Sequence, residues 1–217
     1  MSDAAKFGAE YYQANYRHYE RQNPRYKMDF YRDLVSRYLP PGPRPRVLDL
    51  GCAFAKFLGS LDASWSRFGI DLSEYAIQQA HKKQPGVELA VASCTAVPFR
   101  GPFQAIVAFD VIEHVDDLDQ VAAFVRSELA PDGAFVFVAP VYDGPLGGLV
   151  RALDGDPTHV HKESRDFWLK WAGERFQIQE WCGVFRYLAP LGPYINWPTQ
   201  SLRRLAPAIA VVVRNKR

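Results

Sequence analysis

No uninterrupted apolar run among the 217 residues approaches the roughly 18 needed to span a bilayer. The longest, such as Ala208–Val213, are only strand length. The opening stretch, MSDAAKFGAEYYQ, lacks the apolar core of a secretory signal peptide. These absences predict a soluble, cytoplasmic protein with no membrane partner. An excess of one charge is missing too: Lys and Arg outnumber Asp and Glu by only 26 to 24, so no broad field exists to capture nucleic acid. The small basic excess gathers at Arg203, Arg204, Arg214, Lys216 and Arg217 and over Arg17–Lys27. Such clusters read as solvated faces, with contact to an anionic substrate as the alternative. Cysteine is scarce, with Cys52, Cys94 and Cys182 odd in number and widely spaced. No CxxC pair suggests zinc and no even framework suggests disulfides, which fits a reducing compartment. Internal repeats and low-complexity tracts are also absent.

What is present is the composition of an ordinary globule, 48% hydrophobic and 23% charged, at a length suited to one domain. Three regions divide it: a helical N-terminal region over 1–40, an alternating core over 44–140, and a loop-rich region with the final strands over 141–217. Short β-branched or aromatic runs predict strands at Arg46–Leu50, Arg67–Asp71, Val87–Ala92, Phe103–Phe109, Ala134–Pro140 and Ala208–Arg214. Helical spacing covers Ser73–Lys83 and Leu118–Leu129, and strands that alternate with helices predict βαβ units around a parallel sheet. Pro41–Pro43 separates the first region from the core, Ser73 is placed to cap a helix, and Pro131-Asp132-Gly133 predicts a tight turn. Val141–Thr158 and Ala189–Pro207, rich in Gly and Pro, read as long loops.

The first strand ends at Asp49-Leu50-Gly51, and a helix follows from about Ala55. Gly51 with the small Cys52 and Ala53 allows backbone amides to approach a ligand closely. Asp71 ends the next strand, 22 residues after Asp49. In a doubly wound sheet an acid at about that distance reaches the hydroxyls of a ribose, although capping a helix is the plainer role. The ends of the third and fourth strands, Val91-Ala92-Ser93-Cys94-Thr95 and Val107–Val115, should converge on the same crevice.

Over Arg46–Pro140 these segments resemble the class I S-adenosylmethionine-dependent methyltransferases, particularly the small-molecule type called methyltransferase domain 11. VLDLGCAFAKF is similar to that family's first motif, FGIDLSEYAI to its second and VASCTAVPF to its third. FQAIVAFDVIEHV and LAPDGAFVFVAP resemble the fourth and fifth. The resemblance implies a Rossmann-like three-layer α/β/α sandwich with a seven-stranded, mostly parallel sheet and an antiparallel last strand. It implies S-adenosyl-L-methionine as cofactor and S-adenosyl-L-homocysteine as product. By the same resemblance Asp49, Gly51, Cys52 and Ala53 surround the methionine part, Asp71 binds ribose, and Leu72 packs on adenine. Ser93 and Cys94 read the adenine edge, and Phe109 lies near the methionine side. In related enzymes the N-terminal segment often closes over the site as a lid. Two departures stand out. The first motif usually continues Gly-x-Gly-x-Gly, whereas Ala53 and Ala55 add methyl groups here, and Ser93 replaces the common adenine-reading acid.

Methyl transfer asks mainly for alignment, with a general base where the acceptor starts protonated. His114, His159 and His161 are the candidates for that base. Glu113-His114 can equally be a structural feature of the fold, and Asp156–His161 a solvated loop end. His159 and His161 alternate with Val160, so in an extended chain both would face one side. Asp110, Glu113 and His114 with His159 or His161 present oxygen and nitrogen donors for a divalent ion. That spacing resembles some metal-using quinone-biosynthesis and small-RNA methyltransferases, which begin with Glu, and no metal is expected here. Tyr12, Tyr16 and Tyr19 share a face if one helix carries them. Trp168, Trp171, Trp181, Tyr187, Tyr194 and Trp197 offer material for an apolar substrate pocket. The expected function is methyl transfer to an O, N or C atom of a small metabolite, by a monomer or homodimer. A non-catalytic nucleoside-binding module and a nucleic-acid methyltransferase are the alternatives.

Overall fold

The computed structural model describes residues 7–15, 18–40, 42, 44–188 and 194–216, with the side chains of 13–15 and 187–188 left out. Tyr16, Pro41, Pro43, residues 189–193 and the side chain of Tyr187 therefore lie outside the described residues. Eight strands form one sheet: β1 Arg46–Leu50, β2 Ser66–Asp71, β3 Glu88–Val91, β4 Phe103–Phe109, β5 Leu129–Pro140, β6 Gln177–Leu188, β7 Tyr194–Thr199 and β8 Ala208–Arg214. Their order is β3-β2-β1-β4-β5-β8-β6-β7. The five strands from β3 to β5 run parallel, while β8 lies antiparallel between β5 and β6.

The helices are α1 Ala9–Asn15, α2 Tyr19–Gln22, α3 Arg25–Ser36, α4 Lys56–Ser60, α5 Glu74–Lys83, α6 Leu118–Glu128, α7 Gly147–Leu153 and α8 Arg165–Arg175. Three of them begin where a short polar side chain accepts a hydrogen bond from an otherwise unpaired amide. Ser73 accepts from Ala76, Asp117 from Gln120 and Ser164 from Phe167.

Strand alternation divides the core into two layers, because successive side chains leave opposite faces of the sheet. On β5, Phe135, Phe137 and Ala139 join one cluster with Trp168, Trp171 and Phe176, whereas Ala134, Val136 and Val138 join the other with Tyr31, Leu34 and Val35. Ile209, Val211 and Val213 of β8 repeat the pattern against Ala208, Ala210 and Val212. A third, smaller cluster of Tyr12, Phe54 and Ala76 seats α1 over the end of the sheet.

Three expectations change. The sheet has eight strands and not seven, because Tyr194–Thr199, inside a Pro-rich stretch, pairs with β6 at the sheet margin. Pro198 is accommodated on this outermost strand, where a missing amide donor is least costly. The long loop over Val141–Thr158 contains α7. Pro131-Asp132-Gly133 is not a free turn but a bulge within β5, where pairing jumps from Phe103 with Leu129 to Ala105 with Ala134.

Candidate functional site

The carboxyl ends of β1, β2 and β4 bring Asp49, Asp71 and Asp110 to one edge of the sheet. Between them Gly51 takes a left-handed φ of 73°, and a Cβ there would lie 2.4 Å from a Val111 methyl. Only glycine fits both demands. Ala53 and Ala55 are also left-handed, with φ of 47° and 53°, and Ala55 immediately precedes α4. The loop thus keeps its shape with two alanines in conformations that favour glycine.

Asp71 is buried and accepts from the Ala53 amide at 2.9 Å, the Ser73 amide at 2.9 Å and the Tyr12 hydroxyl at 3.1 Å to each oxygen. Burial raises its pKa, and these donors partly offset the rise. Asp49 is 4% exposed and held well above the usual carboxylate range by burial and by the charge of Asp71. Burial also pushes the Cys94 thiol up to about 12, while Cys52, Cys94 and Cys182 are all free and buried.

Two cavities open at this edge. One, of about 340 Å³, is lined by Asp71, Leu72, Ser93, Cys94, Val111 and Val160 among others. The second, of about 390 Å³, is lined by Asp49, Cys52, Ala53, Phe109, Tyr31, Lys27, Arg186, Glu113 and His159 among others. Tyr11, Gly51, Asp110 and His114 line both. Ser93 is partly engaged by its own turn, sharing a hydrogen bond of 2.8 Å with Thr95. Phe109 stacks on Tyr31 at 4.0 Å between ring centroids and meets Phe57 edge-on.

The hydrogen-bond pattern fixes the tautomers of two histidines. The Thr158 hydroxyl donates to Asp156, so both Thr158 oxygens that approach His114 Nδ1, at 2.9 and 3.1 Å, must accept. His114 therefore carries its proton on Nδ1, and burial followed by the nearby His159 lowers its pKa. His159 Nδ1 likewise donates to Asp154 at 2.9 Å, where Tyr142 and Lys162 also donate at 2.7 and 2.8 Å. Burial alone would raise the pKa of Asp154, but these three donors outweigh it and hold the group ionised. In each neutral ring the proton thus sits on Nδ1 and the lone pair on Nε2, and the rings lie 4.6 Å apart.

His161 is not with them. Val160 and His161 both donate their amides to the Glu113 carbonyl, each at 3.0 Å, so the chain is not regularly extended and the expected shared side is lost. His161 bonds the Val115 carbonyl through Nε2 at 3.0 Å and packs against Phe167 and Trp168, away from both cavities. Donor atoms of Glu113, His114 and His159 do lie within 4.8 Å of one another, close enough to share a divalent ion. Asp110, the first member of the expected donor set, is instead paired with Arg186 and lies 3.9 Å from Lys27. Burial favours its neutral form, but those two cations outweigh it and keep the carboxylate ionised. Glu113 is driven the other way, well above its usual range, by burial and by Asp110.

The aromatic expectations also shift. Tyr12 and Tyr19 belong to different helices, α1 and α2, yet both meet Phe54 at 5.4 and 4.7 Å. Trp168 and Trp171 belong to the core, Trp181 lies under Arg203, and Trp197 is 53% exposed. Among the described residues of that group, Tyr194 alone lines either of these two cavities, and Trp171 borders a separate one. Lys27, assigned to a solvated basic cluster, is 6% exposed. Lys27, Tyr31 and Arg186 have no motif spacing that marks them, because they come from α3 and β6, on either side of the alternating core.

No helix among the described residues is long and apolar enough to cross a membrane. A family model described as a methyltransferase domain matches residues 16–204. Among curated proteins nothing matches. An S-adenosylmethionine-dependent methyltransferase from Thermotoga maritima superposes with a TM-score of 0.67 at 14% identity, covering 94% of this chain and 98% of that one. A geranyl diphosphate methyltransferase, in complex with geranyl diphosphate and sinefungin, gives 0.62 at 16% identity, covering 86% and 78%. A Haloferax volcanii structure of the methyltransferase activator Trm112 with a methyltransferase gives 0.64 at 15% identity, covering 88% and 92%.

Proposed function

The chain belongs to the methyltransferase-domain family, with S-adenosylmethionine as its cofactor, and we propose that it methylates an O, N or C atom of a small metabolite. The observation that carries this reading is the pair of cavities meeting at Gly51, one faced by Asp71 and Leu72, the other by aromatic and charged side chains. The residues fit the cofactor: the buried Asp49 and Asp71 carboxylates suit an ammonium group and a ribose diol, and Gly51 leaves room for close backbone approach. When bound, the cofactor supplies an electrophilic methyl group on a sulfonium.

In the smaller cavity, Asp71 accepts from the ribose, Leu72 lies on the adenine, and Ser93 with Cys94 meets its edge. The Asp49-to-Ala53 turn and Phe109 border the methionine part. His159, oriented by Asp154 through Nδ1, is the general base for an acceptor that must lose a proton, and His114 stands beside it. The residues of 7–15 act as a lid, with Phe7 and Tyr11 resting on His114 and Asp156.

Calorimetric titration with S-adenosylhomocysteine tests the cofactor half. Micromolar binding that Asp71→Ala weakens at least tenfold is expected, and no heat at millimolar ligand overturns the reading. Balanced charge disfavours nucleic acid as acceptor, and salt-insensitive binding to any RNA or DNA would agree with that.

A further inference from the structure

The floor of the larger cavity holds two cations that share one ion-pair partner. Lys27 and Arg186, with side chains 8% and 17% exposed, share Asp110 as their one carboxylate partner among the described residues. Of the three ammonium protons of Lys27, two point to Asn23 Oδ1 at 3.1 Å and the Gln22 carbonyl at 3.5 Å. Asp110 at 3.9 Å is beyond hydrogen-bond distance, so one donor remains. Asp49, Glu113 and Asp156 also line this cavity but pair with neither cation, and burial and Asp110 push the Glu113 carboxyl well above its usual range. Two largely buried cations thus share a single ion-pair partner, a costly arrangement that an anion would relieve.

A second observation points the same way. The Tyr31 hydroxyl, on a residue 2% exposed, has no hydrogen-bond partner although it lines the same cavity. Its ring is fixed by stacking on Phe109, with the Lys27 ammonium 5.7 Å from its centroid. The Lys27 ammonium also lies 5.1 Å from the centroid of the Tyr194 ring. A buried donor facing a cavity without an acceptor calls for a partner there, such as a water, an ion or a ligand.

We propose that the methyl acceptor carries a carboxylate, which accepts from the Tyr31 hydroxyl and the Lys27 ammonium while Arg186, anchored on Asp110, supplies the field. This inference rests on the reading of the larger cavity as the acceptor chamber. With Asp110 a carboxylate gives each cation one anionic partner, whereas a phosphate monoester would bring close to two negative charges. Tyr31, Phe57, Phe109 and Met28 add a flat apolar wall, which suits a carboxylate on a planar apolar body.

The cofactor's own carboxylate has the same chemistry, so the test separates the two sources. Benzoate and its neutral counterpart benzamide are titrated into the protein, with and without saturating S-adenosylhomocysteine, and binding is followed by NMR shifts. Benzoate is expected to bind at least tenfold more tightly than benzamide. Lys27→Met and Tyr31→Phe should each cost at least fivefold in benzoate affinity, with S-adenosylhomocysteine affinity kept within twofold. Equal binding of the two probes, or benzoate binding indifferent to both substitutions, overturns the proposal. So does a large loss of S-adenosylhomocysteine affinity in Lys27→Met with benzoate binding intact, which assigns the cation to the cofactor. If S-adenosylhomocysteine does not bind while benzoate binds in a Lys27-dependent way, the cofactor reading falls and the anion site stands.

Discussion

Ala53 and Ala55 hold left-handed conformations that glycine would adopt without strain, and replacing each by glycine separates two effects. An L-residue in that region costs about 1–2 kcal/mol. Glycine gives back about 0.4–1 kcal/mol through the greater freedom of the unfolded chain. Relief of strain alone therefore stabilises by roughly 0.5–1 kcal/mol at either position. Burial then distinguishes them. Ala55 is 0% exposed within the core cluster of α4, so removing its methyl forfeits about 0.8 kcal/mol of buried area and leaves a small void. Ala53 is only partly buried, against the Tyr12–Phe54 cluster, and loses about half as much. Ala53→Gly should thus raise the melting temperature by about 1–2 °C, at about 2–4 °C per kcal/mol for a chain of this size. Ala55→Gly should leave it unchanged or lower it by about 1–2 °C. Thermal and urea unfolding followed by circular dichroism measure both. A fall of more than 2 °C in Ala53→Gly, or a larger gain at 55 than at 53, would refute the reasoning. The Ala53 amide still reaches Asp71 in the variant, so S-adenosylhomocysteine affinity should not fall more than twofold.

Tyr12 and a ribose would compete for Asp71, so Tyr12→Phe should tighten S-adenosylhomocysteine binding severalfold in calorimetry, and a tenfold weakening would instead make the hydroxyl part of the cofactor site. Lys27 has its pKa lowered from 10.5 to about 8, first by burial, so the unfolded chain binds the extra proton over that interval and the cost of the buried cation fades as pH rises from 8 to 10.5. At about 1.4 kcal/mol per pH unit, Lys27→Met should be more stable than the parent by up to about 3 kcal/mol at pH 7 and lose most of that margin by pH 10 in urea unfolding; a pH-independent difference contradicts this. Asp154→Asn should lower kcat about tenfold or more, with KM for S-adenosylmethionine within twofold and a displaced pH profile, because the His159 tautomer loses its anchor. His161→Gln should leave kcat within threefold, and an equal loss in both variants would undo the assignment of His159.

The parallel strands and the last antiparallel one were readable from residue order alone. Arg46–Leu50, Phe103–Phe109 and Ala208–Arg214 are short runs of β-branched or aromatic residues, and their observed limits are the expected ones. The turn at Gly51 and the acid at Asp71 were readable for the same reason, since both belong to one contiguous βαβ unit with a fixed spacing. β6 and β7 escaped notice because Gln177–Leu188 mixes polar and apolar residues and Tyr194–Thr199 contains a proline. The Arg186–Asp110 pair joins residues 76 apart, and only tertiary structure brings Lys27 and Tyr31 beside it. The two histidines failed as a pair because one carbonyl, that of Glu113, collects both neighbouring amides and turns the backbone.

The contact of the two cavities along Gly51 has an engineering consequence. The walls facing Asp71 come mostly from the stretch between Gly51 and Gln120, whereas the two cations of the larger cavity come from α3 and β6. Under the proposed acceptor reading, acceptor choice would be rewritten by exchanging Lys27, Tyr31, Arg186 and Tyr194 between homologues, with the cofactor turn left untouched. The limit on such exchanges is Gly51 itself: any exchange that displaces Val111 narrows the seam both halves share, so donor and acceptor sequences should be matched there first.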